Sequence, residues 1–270
     1  MTTPETSMTT PGTRRDADDL ATGEVEVRIA DGIGTVTFRH PKGNALPGAL
    51  LARLTREITA VGANADARVI VLRSDGTGPF CAGASFTELA AVADAVAGQR
   101  FFSGFARVIL AMIRAPKFVL TRVHGKVAGG GVGLVAASDY SFAVRAASAK
   151  LSELAIGIGP FVVGPAIERK IGLAAFSAMA VDADWRDAEW CERHGLYSRV
   201  HEDLPAMDAA LDSLAVTLSK SNPEAMAKLK QLFWRDTERW DDLLASRAML
   251  SGSMVLSDHT RRAIEAFKAR

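Results

Sequence analysis

Cysteine is scarce in this chain: Cys81 and Cys191 are the only two among 270 residues. That excludes a disulfide-stapled scaffold and a cysteine-rich zinc module, and it fits a reducing, cytoplasmic compartment. An excess of either charge is also missing. The 32 Lys and Arg stand against 31 Asp and Glu, a formal net charge of +1, so no basic surface offers itself to a nucleic acid. Apolar runs are interrupted by charge or glycine before the roughly 20 residues that a membrane span requires. His40, His124, His194, His201 and His259 are scattered without metal-ligand spacing. Residues 1–23 have no apolar centre of the kind a signal peptide needs, and Asp16, Asp18 and Asp19 argue against a transit peptide, so the segment reads as a disordered tail. What remains is 48% hydrophobic and 23% charged, the composition of one sizeable soluble domain with at most a small appendage.

Periodicity supplies the outline. Val25, Val27 and Ile29 alternate with polar residues, Asp31-Gly32 offers a turn, and Val36 and Phe38 continue the alternation, which predicts a hairpin. Leu50, Leu54 and Ile58 keep helical spacing behind Pro47, as do Phe101, Phe105, Val108 and Met112. Val69–Leu72, Phe118–Leu120 and Phe142–Val144 read as short buried strands. Strands alternating with helices predict an α/β fold over residues 24–200. Beyond about residue 186 strand-like runs stop, and amphipathic stretches near 187–194, 205–219, 223–235, 239–251 and 258–268 predict a helical C-terminal region, 201–270, for oligomerisation or as a lid. Asn222 is expected to cap the helix that Pro223 opens.

Three stretches carry chemistry: Pro79–Ser85, the glycine cluster His124–Gly133, and Leu151–Pro160. Gly131-Val132-Gly133-Leu134-Val135-Ala136 fits a dinucleotide-binding pattern, but that pattern needs its first glycine directly after a strand. Here the preceding strand is expected to end near Val123. A glycine turn into a short apolar helix has another use, since its unpaired backbone N–H groups can stabilise an oxyanion. Ala82-Gly83-Ala84 could contribute a second such donor.

In this order and spacing, the three stretches resemble the enoyl-CoA hydratase/isomerase family, the crotonase superfamily, from about Glu24 to Arg270. The resemblance implies a spiral of ββα units with a helical C-terminal region, assembled as trimers or dimers of trimers. It implies an acyl thioester of coenzyme A as substrate and no metal or redox cofactor. By motif position, the N–H groups of Ala84 and Gly130 would hold the thioester carbonyl, with Glu153 as acid/base. Asn44, Ala45 and Leu46, together with Ala82 and Gly129, would contact the substrate or its CoA moiety. Phe267 and Lys268 would contribute from the last helix.

Family hydratases use two glutamates, and the second position is Gly133 here. Hydration needs a water oriented at the β-carbon, a task that two carboxylates share. Moving a double bond from the 3- to the 2-position needs one base only. Isomerisation therefore leads, followed by hydration, decarboxylation of a malonyl-type thioester, and a catalytically silent acyl-CoA-binding subunit. Further departures are Ser85 where many members have Asp, Ser152 in place of proline, and Phe161-Val162-Val163 in place of small residues, which would narrow the pocket. Glu88 is expected on a solvated helix face, Asp139 and His124 in structural roles, and Cys81 as a small buried hydrophobe.

Overall fold

The computed structural model describes residues 22–268, with side chains as far as Ala266. Most of the expected N-terminal tail, like Arg270, lies outside the described residues. The predicted hairpin forms from β1 (Glu24–Ala30) and β2 (Ile33–Arg39). Asp31 and Gly32 turn the chain with φ of 52° and 78°, the left-handed pair that matches the twist of the flanking strands. Helix α1 (Gly48–Ala63) buries Leu50, Leu54 and Ile58 as its spacing predicts. β3 (Val69–Ser74) then joins β2 in parallel. The short α2 (Phe86–Ala90) and the long α3 (Ala95–Arg114) follow.

From here the chain repeats one plan. It crosses a large sheet, then a small one, then enters a helix. β4 (Val119–Val123) and β5 (Val127–Ala128) lead to α4 (Gly130–Ala136). β6 (Tyr140–Val144) and β7 (Ser148–Lys150) lead to a 3-10 turn (Leu154–Ile156) and to α5 (Gly164–Asp182). β8 (Arg186–Asp187), α6 (Ala188–Arg193) and β9 (Arg199–His201) close the spiral. The large sheet has the order β1-β2-β3-β4-β6-β9, and the small one β5-β7-β8. This is the expected α/β spiral of ββα units. The helices α7 (Leu204–Ser219), α8 (Pro223–Phe233), α9 (Trp240–Val255) and α10 (Asp258–Lys268) complete the described chain. Asn222 caps α8 through its Oδ1, which accepts from the N–H of Glu224 and Ala225 at 2.9 and 3.3 Å.

One expectation needs correction. Strands do not stop at residue 186: β8 pairs with β7, and β9 extends the large sheet beside β6. Both are too short for alternation to register, and their partners supply the pairing. By length and composition α3 could cross a membrane, although Gly98, Arg100, Gly104 and Arg107 interrupt its apolar run as expected. Its Phe101, Phe105, Val108, Ile109 and Met112 are buried in this protein's own core, which accounts for that composition without a bilayer.

The C-terminal helices are fastened by a buried polar cluster rather than by packing alone. Lys230 on α8 is 2% exposed and donates to the carbonyls of Met112 and Lys117 at 2.6 and 2.8 Å. Its Nζ also lies 2.8 Å from Asp139 Oδ2. Asp139 accepts further bonds from Trp234 Nε1 at 3.0 Å and the Val119 N–H at 2.7 Å. Asp139 thus ties α8 to the start of β4, a structural arrangement of the kind expected for it.

Candidate active site

The spiral decides where the loops end. Successive small-layer crossings are parallel neighbours: Leu46 bridges Ala84, Cys81 bridges Val127, and Val127 pairs with Ala149. Adjacent parallel strands lie about 4.8 Å apart and release the chain on the same side. The residues emerging there are Ala84, Gly129-Gly130 and Ser152-Glu153. All of them line one cavity of about 660 Å³, with Ala82 and Ala45.

The first two loops touch. Gly83 has φ 92°, and a Cβ on it would stand 3.1 Å from the Ala128 carbonyl oxygen, so only glycine suits both the conformation and the approach. Leu46 uses the Gly83 carbonyl and the Ser85 N–H, at 2.8 and 3.3 Å. Alternation along this extended segment turns the Ala84 N–H the other way. Gly130 opens α4, and its N–H has no intrahelical acceptor. Neither N–H meets a backbone acceptor among the described residues. Two donors on touching loops therefore face the cavity that Glu153 also faces.

Glu153 introduces the 3-10 turn. As a residue it is half-buried, but its Oε2 is buried and has no hydrogen-bond partner. The other oxygen lies against Gly129, 3.2 Å from where a Cβ would be. Burial pushes the carboxyl up to about 7, while the backbone N–H groups of Glu153 and Ser152 pull weakly the other way.

Much of the remaining lining is hydrocarbon. Phe105, Ile158, Val162 and Val163 form the cavity wall. A side chain at Gly133 would run into this wall, since its Cβ would lie 2.5 Å from Val163 Cγ1 and 2.7 Å from Val163 Cβ. Val163 thus fills the space that a carboxylate at position 133 would need. We expect Gly133→Ala to cost about 1–3 kcal/mol by overpacking. Combining it with Val163→Ala should return part of that loss in urea denaturation, through a non-additive cycle. Additive losses would mean that Val163 does not fill this space.

The remaining expected residues fall in three places. Asn44 and Leu46 stand behind the wall rather than on it. Asn44 Nδ2 donates to the carbonyls of Asp75 and Pro79 at 2.9 and 3.0 Å, and its Oδ1 accepts from the His40 N–H at 2.9 Å. That side chain braces the loop in which Ala45 meets the cavity, and Leu46 is fully buried beneath it. Neither of these two side chains lines the cavity, whereas Ala45 of the same loop does. Phe267 and Lys268 end α10, and their side chains lie outside the described part of the chain. Glu88 is not simply solvated: its Oε2 accepts from the Gly48 N–H at 2.7 Å, capping α1 across 40 residues of sequence. Ser85 accepts from the Glu88 N–H at 3.3 Å and caps α2.

Other chemistry recedes. Gly131 and Gly133 lie inside α4, where a Cβ on Gly131 would meet Cys81 Sγ at 2.9 Å. A pyrophosphate has no room there, although a strand, β5, does precede the cluster where none was expected after Val123. Cys81 is fully buried, and burial pushes its thiol up to about 12, the opposite of an activated nucleophile. His124 is buried edge-on to Phe80 with centroids 6.5 Å apart, and does not line the cavity. Sequence reasoning missed Phe105 as a wall residue, because helical spacing marks it only as buried. It also missed Lys42, which lines the cavity and donates from Nζ to Thr87 Oγ1 at 3.2 Å.

Residues 28–270 match the family model described as enoyl-CoA hydratase/isomerase. Among curated relatives, the mitochondrial methylglutaconyl-CoA hydratase of Mus musculus is 31% identical over 62% of this chain and 53% of its own length. The chain thus spans about half of that relative. The mitochondrial Delta(3,5)-Delta(2,4)-dienoyl-CoA isomerase of Mus musculus is 25% identical over 84% of this chain and 73% of its own. In fold, the crystal structure of an enoyl-CoA hydratase from Bacillus halodurans superposes with a TM-score of 0.84 at 20% identity, covering 90% of this chain and 99% of that one.

Proposed function

The chain belongs to the enoyl-CoA hydratase/isomerase family, and we propose that within it this protein isomerises an enoyl-CoA through a thioester enolate, with Glu153 as its single acid/base. The observation that carries the reading is a solitary carboxylate, with a buried unpartnered oxygen, lining the same largely apolar cavity as two free N–H groups.

The thioester carbonyl oxygen accepts from the N–H groups of Ala84 and Gly130. Glu153 takes a proton from C2: the C2–H bond breaks, an O–H bond forms on the carboxylate, and the electron pair moves onto the carbonyl oxygen. The two donors gain strength as that charge develops, and removing one such donor typically costs about 3–4 kcal/mol. Glu153 then gives the proton to C4, and the double bond stands between C2 and C3. A carboxyl near 7 suits this work, because taking and returning the proton are both easy close to neutrality. Hydration would need a second group to orient water, and Val163 puts methyl groups where a side chain at 133 would reach. Coenzyme A enters as part of the substrate, with Lys42 at hand for its polar portion.

Assembly as a trimer or a dimer of trimers is part of the proposal. Leu229, Leu232 and Phe233 on α8 and Met249 and Met254 on α9 are exposed apolar residues that a second copy would cover. The test of the reaction is mass spectrometry of 3-enoyl- and 2-enoyl-CoAs incubated with the enzyme. A shifted double bond at unchanged mass is expected. Gain of one water would make it a hydratase, and loss of carbon dioxide from a malonyl-type thioester would favour decarboxylation.

A further inference from the structure

The last helix meets the core at the turn that carries Glu153. Thr260 on α10 is fully buried, and its hydroxyl donates to the Gly157 carbonyl at 3.0 Å. The same hydroxyl accepts from Ser257 Oγ at 3.0 Å. Gly157 is in the left-handed region, φ 80°, and a Cβ there would lie 2.6 Å from Thr260 Oγ1, so helix and turn meet at backbone level. Ile264, one turn further on, packs with Ile158, Leu89, Phe101 and Val255. Ala263 and Ala266 face the cavity itself.

One peptide unit connects this contact to Glu153. The Gly157 carbonyl and the Ile158 N–H belong to the same planar group. Thr260 grips the carbonyl end, and the N–H end donates to the Glu153 carbonyl at 2.9 Å. The Ile156 N–H donates to that same carbonyl at 3.2 Å. Rotation of the Gly157–Ile158 plane would therefore move the backbone from which the Glu153 carboxylate projects.

The geometry points to Thr260 as a positioning residue for Glu153, holding through the Gly157–Ile158 peptide the placement of the carboxylate over the substrate's α-carbon. This rests on the reading of Glu153 as the base. Small displacements at a reacting centre are costly, about 100-fold for 1 Å, so a loosened peptide should be felt in the proton-transfer step before it is felt in binding.

The test compares Thr260→Val, which keeps the shape and loses the donor, with Thr260→Ser, which keeps the donor. Deuterium uptake at C2 of butyryl-CoA in heavy water gives kcat and KM, and amide exchange followed by mass spectrometry reports the Ile158 N–H. Thr260→Val should lower kcat about 10- to 100-fold with KM changed less than about threefold, and speed Ile158 exchange. Thr260→Ser should restore both. Unchanged kcat in the valine variant, a rise in KM alone, or a serine variant that behaves like valine would overturn the assignment. A parent enzyme that fails to exchange C2, or a Glu153→Gln variant with full activity, would instead overturn the reading of Glu153. Ile158 protection would still report whether Thr260 grips the turn.

Discussion

Replacing Glu153 with Gln should lower turnover by about 100- to 10,000-fold, the usual worth of a general base, while making the protein more stable at pH 8. The two effects share a cause. Burial raises the folded-state carboxyl from 4.5 to about 7, so the folded protein binds that proton more tightly than the unfolded chain does. The penalty is absent below about pH 4.5, where both states are protonated. It grows as pH rises toward 7 and is complete above it. At about 1.4 kcal/mol per pKa unit, it amounts to at most about 3.5 kcal/mol, reduced by solvent that reaches the half-buried residue. The glutamine variant lacks this penalty, so its advantage in urea denaturation should shrink steadily between pH 7 and 5. In the parent enzyme, kcat/KM should fall on the acid side with an apparent pKa near 7, as the base becomes protonated. A glutamine variant with full activity, or a stability difference independent of pH, would separate Glu153 from the role given to it.

The second large effect lies outside the cavity. Lys230→Met removes three buried interactions of one ammonium and leaves Asp139 with the buried Lys170 as its remaining neighbouring cation. Burial disfavours the Lys230 charge and Asp139 supports it. Breaking such a pair typically costs about 3–5 kcal/mol. The double variant with Asp139→Asn should lose less than the sum of the single losses, because each single substitution strands the other member of the pair and the double variant strands neither. Since α9 and α10 follow α8 in the chain, we also expect a raised KM for acyl-CoA in the single variant. A loss under about 1 kcal/mol would mean that packing alone fastens the C-terminal helices.

The elements that the sequence made legible are those with local causes. Alternation around Asp31-Gly32 marks the hairpin, Leu50, Leu54 and Ile58 mark α1, and Asn222 before Pro223 marks the start of α8. The loops of the site were legible as motifs, and the spiral explains why: each motif ends a small-layer strand, so residues distant in sequence share one edge. What stayed hidden depends on partners far along the chain. The space at Gly133 is decided by Val163, the carboxylate of Glu88 by Gly48, and the side chain of Asn44 by Asp75 and Pro79. β9 is three residues long and exists because β6 offers an edge. Thr260 looks like any polar residue at a helix start until Gly157 is beside it.

Enolate formation is the central claim, and a saturated thioester isolates it, since butyryl-CoA can be neither isomerised nor hydrated. Its mass and its C2 proton signal should be followed in heavy water with the parent enzyme. The account predicts deuterium at C2, with a rate that falls on the acid side around pH 7 and is lost in Glu153→Gln. Tight binding of butyryl-CoA without any deuterium at C2 would contradict it.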